Sequence, residues 1–243
     1  MAPAPKDPVL SVIVCHHTGD FWRGCFDTLK TSVGIPFELI CVSSNPSPEW
    51  AGEWFTVIHE QGGPAHKRNV GVQRAHGKYI VFLDDDTEVS PYTLCEFWRG
   101  FQALPTAGML FARIYNGERR EELDDCGSWL TPTGFLYARA SARHLDHDLL
   151  LRPVRCLASK SAGCAIRRDT FTRAGGFDAS YFILGEETDL AWRVWLQGEE
   201  VWYWPTAVLW HWFNTGKKPV QDYYTQTRIH RYGARNYISL LIT

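Results

Sequence analysis

Between Val9 and Leu104 the chain alternates short apolar runs with segments of helical apolar spacing, and this alternation restricts the fold more than any other feature. The runs are Val9–Cys15, Phe37–Val42, Trp54–Ile58 and Tyr79–Leu83. Runs this short and this continuously apolar fit strands buried on both faces. Asp20–Thr31 carries Phe21, Cys25, Phe26 and Leu29 at helix-compatible spacing. Pro64, after Gly62-Gly63, opens a helix to about Ala75, since proline loses nothing in the first turn. Ser90-Pro91 reads as an N-cap followed by a first-turn proline. Leu94, Phe97, Trp98, Phe101 and Leu104 then mark one core face. The alternation predicts an α/β fold with a mostly parallel central sheet and helices on both faces.

Tyr115–Pro153 is rich in charges and turn formers and reads as an elaborated loop region over a site. Regular patterns resume with Ala162–Ile166, a short helix ending at Gly175-Gly176, a helix near Glu187–Leu196, and strand-like runs at Val201–Trp204 and Ala207–Trp210. With 243 residues, 45% apolar and 21% charged, a single domain over the whole chain is the simplest reading. A net charge of −2 gives no sign of a nucleic-acid partner. The seven cysteines are odd in number and without ligand spacing, which points to reduced thiols and a cytoplasmic setting. The opening MAPAPKDP has no signal-like apolar stretch, and no run approaches the roughly 20 apolar residues of a membrane span. The Trp- and Tyr-rich C-terminal part leaves peripheral membrane contact open. Most of the aromatics are expected in the core, with a groove for a base or sugar as the alternative use.

Two acidic clusters carry chemical interest. Asp84-Asp85-Asp86 follows the fourth strand directly, at the carboxyl end of the sheet where α/β folds bind ligands. Adjacent carboxylates repel by about 1 kcal/mol per pair at 4 Å in water, and a hard divalent cation reverses that. The bland reading is an acidic turn capping the next helix. Glu186, Glu187 and Asp189 form the second cluster, favoured in a first helical turn by the helix dipole. Asp189 stands four residues before Arg193, on one helix face. His211 lies among aromatics in Leu209–Trp212; alone it reads as a core histidine, although imidazole also suits Mn²⁺-type sites. Lys67 and Arg68, near a helix N-terminus, could meet a diphosphate or form a solvated basic face. His16-His17 and His144/His147 have no convincing ligand spacing. GxGxxG, GxxxxGK[ST] and GxSxG are all missing, which takes the main support from dehydrogenase, P-loop and α/β-hydrolase readings.

The order of these pieces resembles the family 2 glycosyltransferases of the GT-A nucleotide-diphospho-sugar transferase fold, rhamnosyltransferase-like members especially. LSVIVCHHTG is similar to the family's first strand and turn, and GGPAHKRNVGVQRAHGKYIVFLDDDTEVSP to its stretch ending in the DxD metal motif. GCAIRRDTFTRAGGFDASYFILGEETDLAWRVWLQG resembles the segment holding the catalytic acid, and VLWHW the position of a metal-binding histidine. The resemblance covers about residues 9–237. It implies a donor-binding half over about 9–114 and an acceptor half over about 115–243. It places Mn²⁺ or Mg²⁺ on Asp86, His211 and Asp84, and the base at Glu187 with Glu186 and Asp189 as neighbours. His16, Ser43, Lys67, Arg68, Asp84 and Asp85 fall on the donor side. The family's usual Asp after the second strand is replaced by Ser43-Ser44-Asn45, and the usual Pro-Thr at the first-strand turn by His16-His17; both changes touch the nucleoside side. A UDP- or dTDP-linked hexose or deoxyhexose donor, a glycan or other hydroxyl acceptor, and inverting displacement are what the resemblance implies. A nucleotidyltransferase would carry a Gly-rich N-terminal signature, which LSVIVCHHTG lacks, and a non-catalytic binding module would have lost a site acid.

Overall fold

In a computed structural model, residues 8–16, 22–45, 54–131, 136–139, 150–212, 231–233 and 235–236 are described. Residues 1–7, His17, Phe21, His144, His147 and most of the C-terminal aromatic stretch lie outside them. The strands are β1 (Leu10–His16), β2 (Phe37–Ser43), β3 (Thr56–His59), β4 (Tyr79–Asp84), β5 (Thr87–Val89), β6 (Ala107–Asn116), β7 (Leu123–Asp125), β8 (Ser128–Leu130), β9 (Leu136–Ala138), β10 (Val154–Arg155), β11 (Gly163–Arg167) and β12 (Glu200–His211). The helices are α1 (Trp22–Lys30), α2 (Pro64–Gln73), α3 (Thr93–Ala103), α4 (Arg168–Arg173) and α5 (Glu186–Leu196).

One large sheet runs β10-β12-β6-β11-β4-β1-β2-β3, with β5 paired to β12 and β7 to β6. β1, β2, β3 and β4 are mutually parallel, and β12 is parallel to β6. β11 runs antiparallel between β4 and β6, so β3, β2, β1, β4, β6 and β12 all point one way. The mostly parallel α/β sheet is therefore as the alternation predicts.

The period-2 pleat sorts the strand residues into two cores. Ile13, Ile40, Phe82, Phe111 and Ile166 face one side with Ala65 of α2, Phe171 of α4 and Leu190 and Val194 of α5. Val12, Val14, Leu39, Val81, Leu83 and Leu110 face the other with Phe26 and Leu29 of α1 and Phe97 and Phe101 of α3. Helices cover both faces.

Three local readings change. Ser90 does not cap α3: the helix starts at Thr93 after Tyr92, because Ser90 and Pro91 form a turn closed by Thr93 N–H donating to the Ser90 carbonyl. The strand-like runs at Val201–Trp204 and Ala207–Trp210 are one strand, β12, whose register against β6 shifts between Trp204 and Val208. Pro205 sits in that shift, where a missing N–H is tolerated. The Tyr115–Pro153 region is less irregular than its composition suggests, since it holds the end of β6, strand β7 and the β8–β9 hairpin.

Candidate active site

The carboxyl ends of β1, β2 and β4 lie side by side. Parallel pairing aligns His16 with Ser43 and Cys15 with Asp84, so the turn after β4 sits beside the turn after β1. β5 then pairs antiparallel with the last residues of β12, matching His211 to Thr87. That register sets a histidine more than a hundred positions away next to Asp86. The backbone fixes it further, with Trp212 N–H donating to the Asp86 carbonyl at 2.9 Å.

Each of the three consecutive carboxylates has its own basic partner. Asp84 Oδ1 accepts from Arg68 Nη2 at 2.8 Å. Asp85 Oδ2 lies 2.7 Å from His16 Nδ1. Asp86 Oδ1 lies 3.2 Å from His211 Nε2. Burial pushes the Asp85 carboxyl above its usual range, with His16 acting against the shift. Burial also disfavours a charged His211, but Asp86 and the carboxylate of Asp124 outweigh it and push the imidazole up to about 9. Asp124 stands on the Nδ1 side of that ring at 3.9 Å, itself held by Lys160 Nζ at 2.6 and 2.7 Å. Neither Asp124 nor Lys160 stands out in the sequence; an Asp-Asp doublet in a charged stretch was the only available signal.

One ligand atom from each of Asp84, Asp86 and His211 falls within 4.8 Å of the other two. Two carboxylate oxygens and one imidazole nitrogen suit a hard-to-borderline divalent cation such as Mn²⁺ or Mg²⁺. The donor set fits a metal.

Arg68 and Lys67 are neither on a solvated face nor at the surface, each being only 2% exposed. Lys67 Nζ donates to the His16 carbonyl at 2.8 Å and ties α2 to the β1 turn. Arg68 reaches in two directions, giving Nη2 to Asp84 and Nη1 to Glu186 Oε1 at 2.9 Å, with its guanidinium over the Phe177 ring. It thus joins the turn after β4 to the first turn of α5. Removing one member of a buried ion pair typically destabilises by about 3–5 kcal/mol, because the remaining charge is left uncompensated. Arg68→Ala should lose stability of that order in urea unfolding monitored by circular dichroism; a loss under about 1 kcal/mol, the size of an exposed pair, would show that Glu186 does not need it.

The second acidic cluster forms the first turn of α5, as the helix dipole favours. Glu186 is committed to Arg68, and Asp189 to Arg193, which also binds the Ala174 carbonyl. Glu187 makes no ion pair among the described residues, and burial together with the charge of Glu186 raises its carboxyl well above the ordinary range. Gly185 before it is left-handed at φ 91°, and so is Leu184 at φ 69°. A left-handed leucine carries strain on the order of 1 kcal/mol or more and persists only where its surroundings hold it.

At the carboxyl end of β2, the Ser43 hydroxyl accepts from Asn45 N–H at 3.0 Å and its carbonyl from Glu60 N–H at 2.9 Å. His59 Nδ1 lies 3.2 Å from the same carbonyl.

The mostly parallel sheet covered on both faces, with the Asp-Asp-His set at its strand ends joined through Arg68 to the acidic first turn of α5, matches the GT-A type nucleotide-diphospho-sugar transferase fold. Residues 11–147 match the family described as Glycosyl transferase family 2, and the chain belongs to that family. EpsH of Bacillus subtilis (strain 168), named as a glycosyltransferase, is 33% identical over 114 residues, which are 42% of this chain and 31% of EpsH. The chain thus spans about a third of that curated relative. Among solved structures, GalNAc-T7 with UDP, GalNAc and Mn²⁺ superposes at a TM-score of 0.69 with 14% identity, over 98% of this chain and 48% of that one. The mannosyltransferase PcManGT from Pyrobaculum calidifontis, in complex with GDP-Man and Mn²⁺, gives 0.67 with 17% identity, over 99% of this chain and 66% of its own. Among the described residues, no helix is long and apolar enough to cross a membrane.

Proposed function

We propose that this protein transfers a hexose or deoxyhexose from a nucleoside-diphosphate donor to an acceptor hydroxyl, with Mn²⁺ or Mg²⁺ and with inversion at the anomeric carbon. The observation that carries the reading is the convergence of Asp84, Asp86 and His211 within 4.8 Å, at the sheet end that α5 also faces through the Arg68 bridge. Asp86 and His211, with Asp84, would hold the cation. When bound, it would neutralise charge developing on the diphosphate leaving group. Glu187 takes the proton of the acceptor hydroxyl, whose oxygen attacks from the face opposite the leaving group; its raised affinity for a proton suits a general base. Glu186 and Asp189 are held by arginines and serve as framework, and Arg68 fixes both halves of the site. His16, Ser43, Lys67 and Asp85 line the nucleoside side, where Ser43 in place of a carboxylate leaves UDP, dTDP and GDP to be distinguished. GDP is included because PcManGT was solved with GDP-Man and Mn²⁺.

The direct test is thermal shift with UDP, dTDP and GDP, each with and without Mn²⁺, followed by nucleoside-diphosphate release from the matching sugar donors. A nucleotide bound at 100 times its Kd should stabilise the fold by about 2.7 kcal/mol. The expected result is one nucleotide raising the melting temperature only with the metal, and its sugar donors being turned over. No stabilisation by any of the three would overturn the reading.

A further inference from the structure

We propose that Asn236 is a positioning residue: its carboxamide holds the left-handed turn Leu184–Gly185 and so places Glu186 and Glu187, an inference that rests on the transferase reading above. Asn236 is buried and donates both hydrogens of Nδ2, to the Ile183 carbonyl at 2.9 Å and to the Leu184 carbonyl at 2.6 Å. The orientation of the amide is set by its other end, where Oδ1 accepts from Arg235 Nε at 3.0 Å and Nη2 at 2.8 Å. Arg235 also donates to the Ser180 carbonyl, and Tyr232 stacks on Phe182 with centroids 5.3 Å apart. Tyr232, Arg235 and Asn236 therefore grip the 180–184 segment through three backbone carbonyls and a ring.

The opposite side of that segment is closed as well. A Cβ at Gly63, the residue before α2, would stand 2.7 Å from the Phe182 carbonyl, so the segment lies tight against the start of the helix that carries Lys67 and Arg68. Within this grip Leu184 is the single non-glycine residue with positive φ among those described. Gly185 follows as the N-cap of α5, with no side-chain cap. The direction in which Glu186 and Glu187 leave the turn is thus set by a strained dipeptide, and the strain persists where neighbouring groups over-determine it. The two hydrogen bonds of Asn236 fall on the carbonyls that flank the strained residue's own dihedrals. They hold the turn from outside α5, as Arg68 holds its first acid.

The test uses the full chain carrying Asn236→Ala, the near-isosteric Asn236→Asp, which loses both donors, and Leu184→Gly in the Asn236→Ala background. Turnover is read as nucleoside-diphosphate release from the best of a panel of UDP-, dTDP- and GDP-sugars, and affinity as the Kd for the corresponding nucleoside diphosphate with Mn²⁺. Both Asn236 variants should lower kcat by roughly tenfold or more, a displacement of about 1 Å being worth up to ~100-fold, while that Kd changes less than about twofold. Leu184→Gly relieves the left-handed strain and should return about threefold or more of the lost kcat in the Asn236→Ala protein. Unchanged kcat overturns the proposal. So does a loss of kcat matched by equal losses in affinity and melting temperature without rescue, since that is a general structural role. If no donor is turned over by the unmodified protein, the transferase reading falls by itself, and amide exchange decides this one. Faster exchange at residues 185–187 in Asn236→Ala supports the positioning role, and unchanged exchange overturns it.

Discussion

Replacing Asp86 by alanine is expected to remove sugar transfer and the metal dependence of nucleotide binding together, while the protein stays folded. The side chain is in a turn, 3.2 Å from His211 Nε2, and the backbone bond from Trp212 N–H to the residue 86 carbonyl survives the substitution. The β5–β12 pairing that carries His211 does not depend on the carboxylate. Loss of even an outer partner of a metal ligand costs 10–100-fold in metal affinity, so loss of a ligand oxygen should weaken Mn²⁺ binding by roughly 100-fold or more. Titration calorimetry of Mn²⁺ with the bound nucleotide, beside nucleoside-diphosphate release, checks both halves. Wild-type turnover in Asp86→Ala, or full activity of the unmodified protein in excess EDTA, would remove the metal from the mechanism.

Glu187→Gln should lower turnover by roughly 100-fold or more, the range for loss of a general base, with nucleoside-diphosphate affinity nearly unchanged. The pH profile gives a second readout. Burial and the neighbouring Glu186 raise the proton affinity of Glu187 in the folded state, so the active, ionised form is lost as pH falls through a value above the usual carboxylate range. The acid limb of kcat should therefore lie higher than a surface glutamate would give, and it should vanish from the residual activity of Glu187→Gln. Stability must move the other way. A carboxyl whose folded pKa is raised favours the native state while protonated, fully so below its unfolded pKa, and that contribution is lost as pH rises through the folded pKa. Glu187→Gln should then melt higher than the unmodified protein near neutral pH, and no higher at pH 4. If turnover survives Glu187→Gln and is lost in Asp189→Asn, the base is Asp189 and its bridge to Arg193 opens during the reaction.

Much of the frame formed by the first four strands was legible. β1, β2 and β4 lie within a residue of their apolar runs, and Pro64 opens α2 as its position in the chain suggests. These elements are read from local signals, because burial on both faces requires unbroken apolar runs and helix ends need particular residues. β6 was not singled out, although it lies at the centre of the sheet. It begins with Ala107-Gly108 and carries Arg113, so no uniform apolar run marks it. The acids were visible as clusters, and Asp189 is paired with Arg193 as its four-residue spacing implies. Asn236 was not visible at all, since an asparagine has no signature until its amide is seen against carbonyls fifty positions earlier.

The sequence by itself determined the alternation, the two-faced sheet and the supply of acids at strand and helix ends, because these depend on neighbours within a few residues. Tertiary structure decided which partner each acid has. Arg68 could have been a surface cation meeting phosphate, yet packing of α2 buries it between Asp84 and Glu186. His211 could have been one more core residue of an aromatic run, yet the β5–β12 register sets it against Asp86. Charge and ligand geometry vary over ångströms and are fixed by pairings across the fold, so the roles of these groups come from contacts that spacing along the chain does not encode.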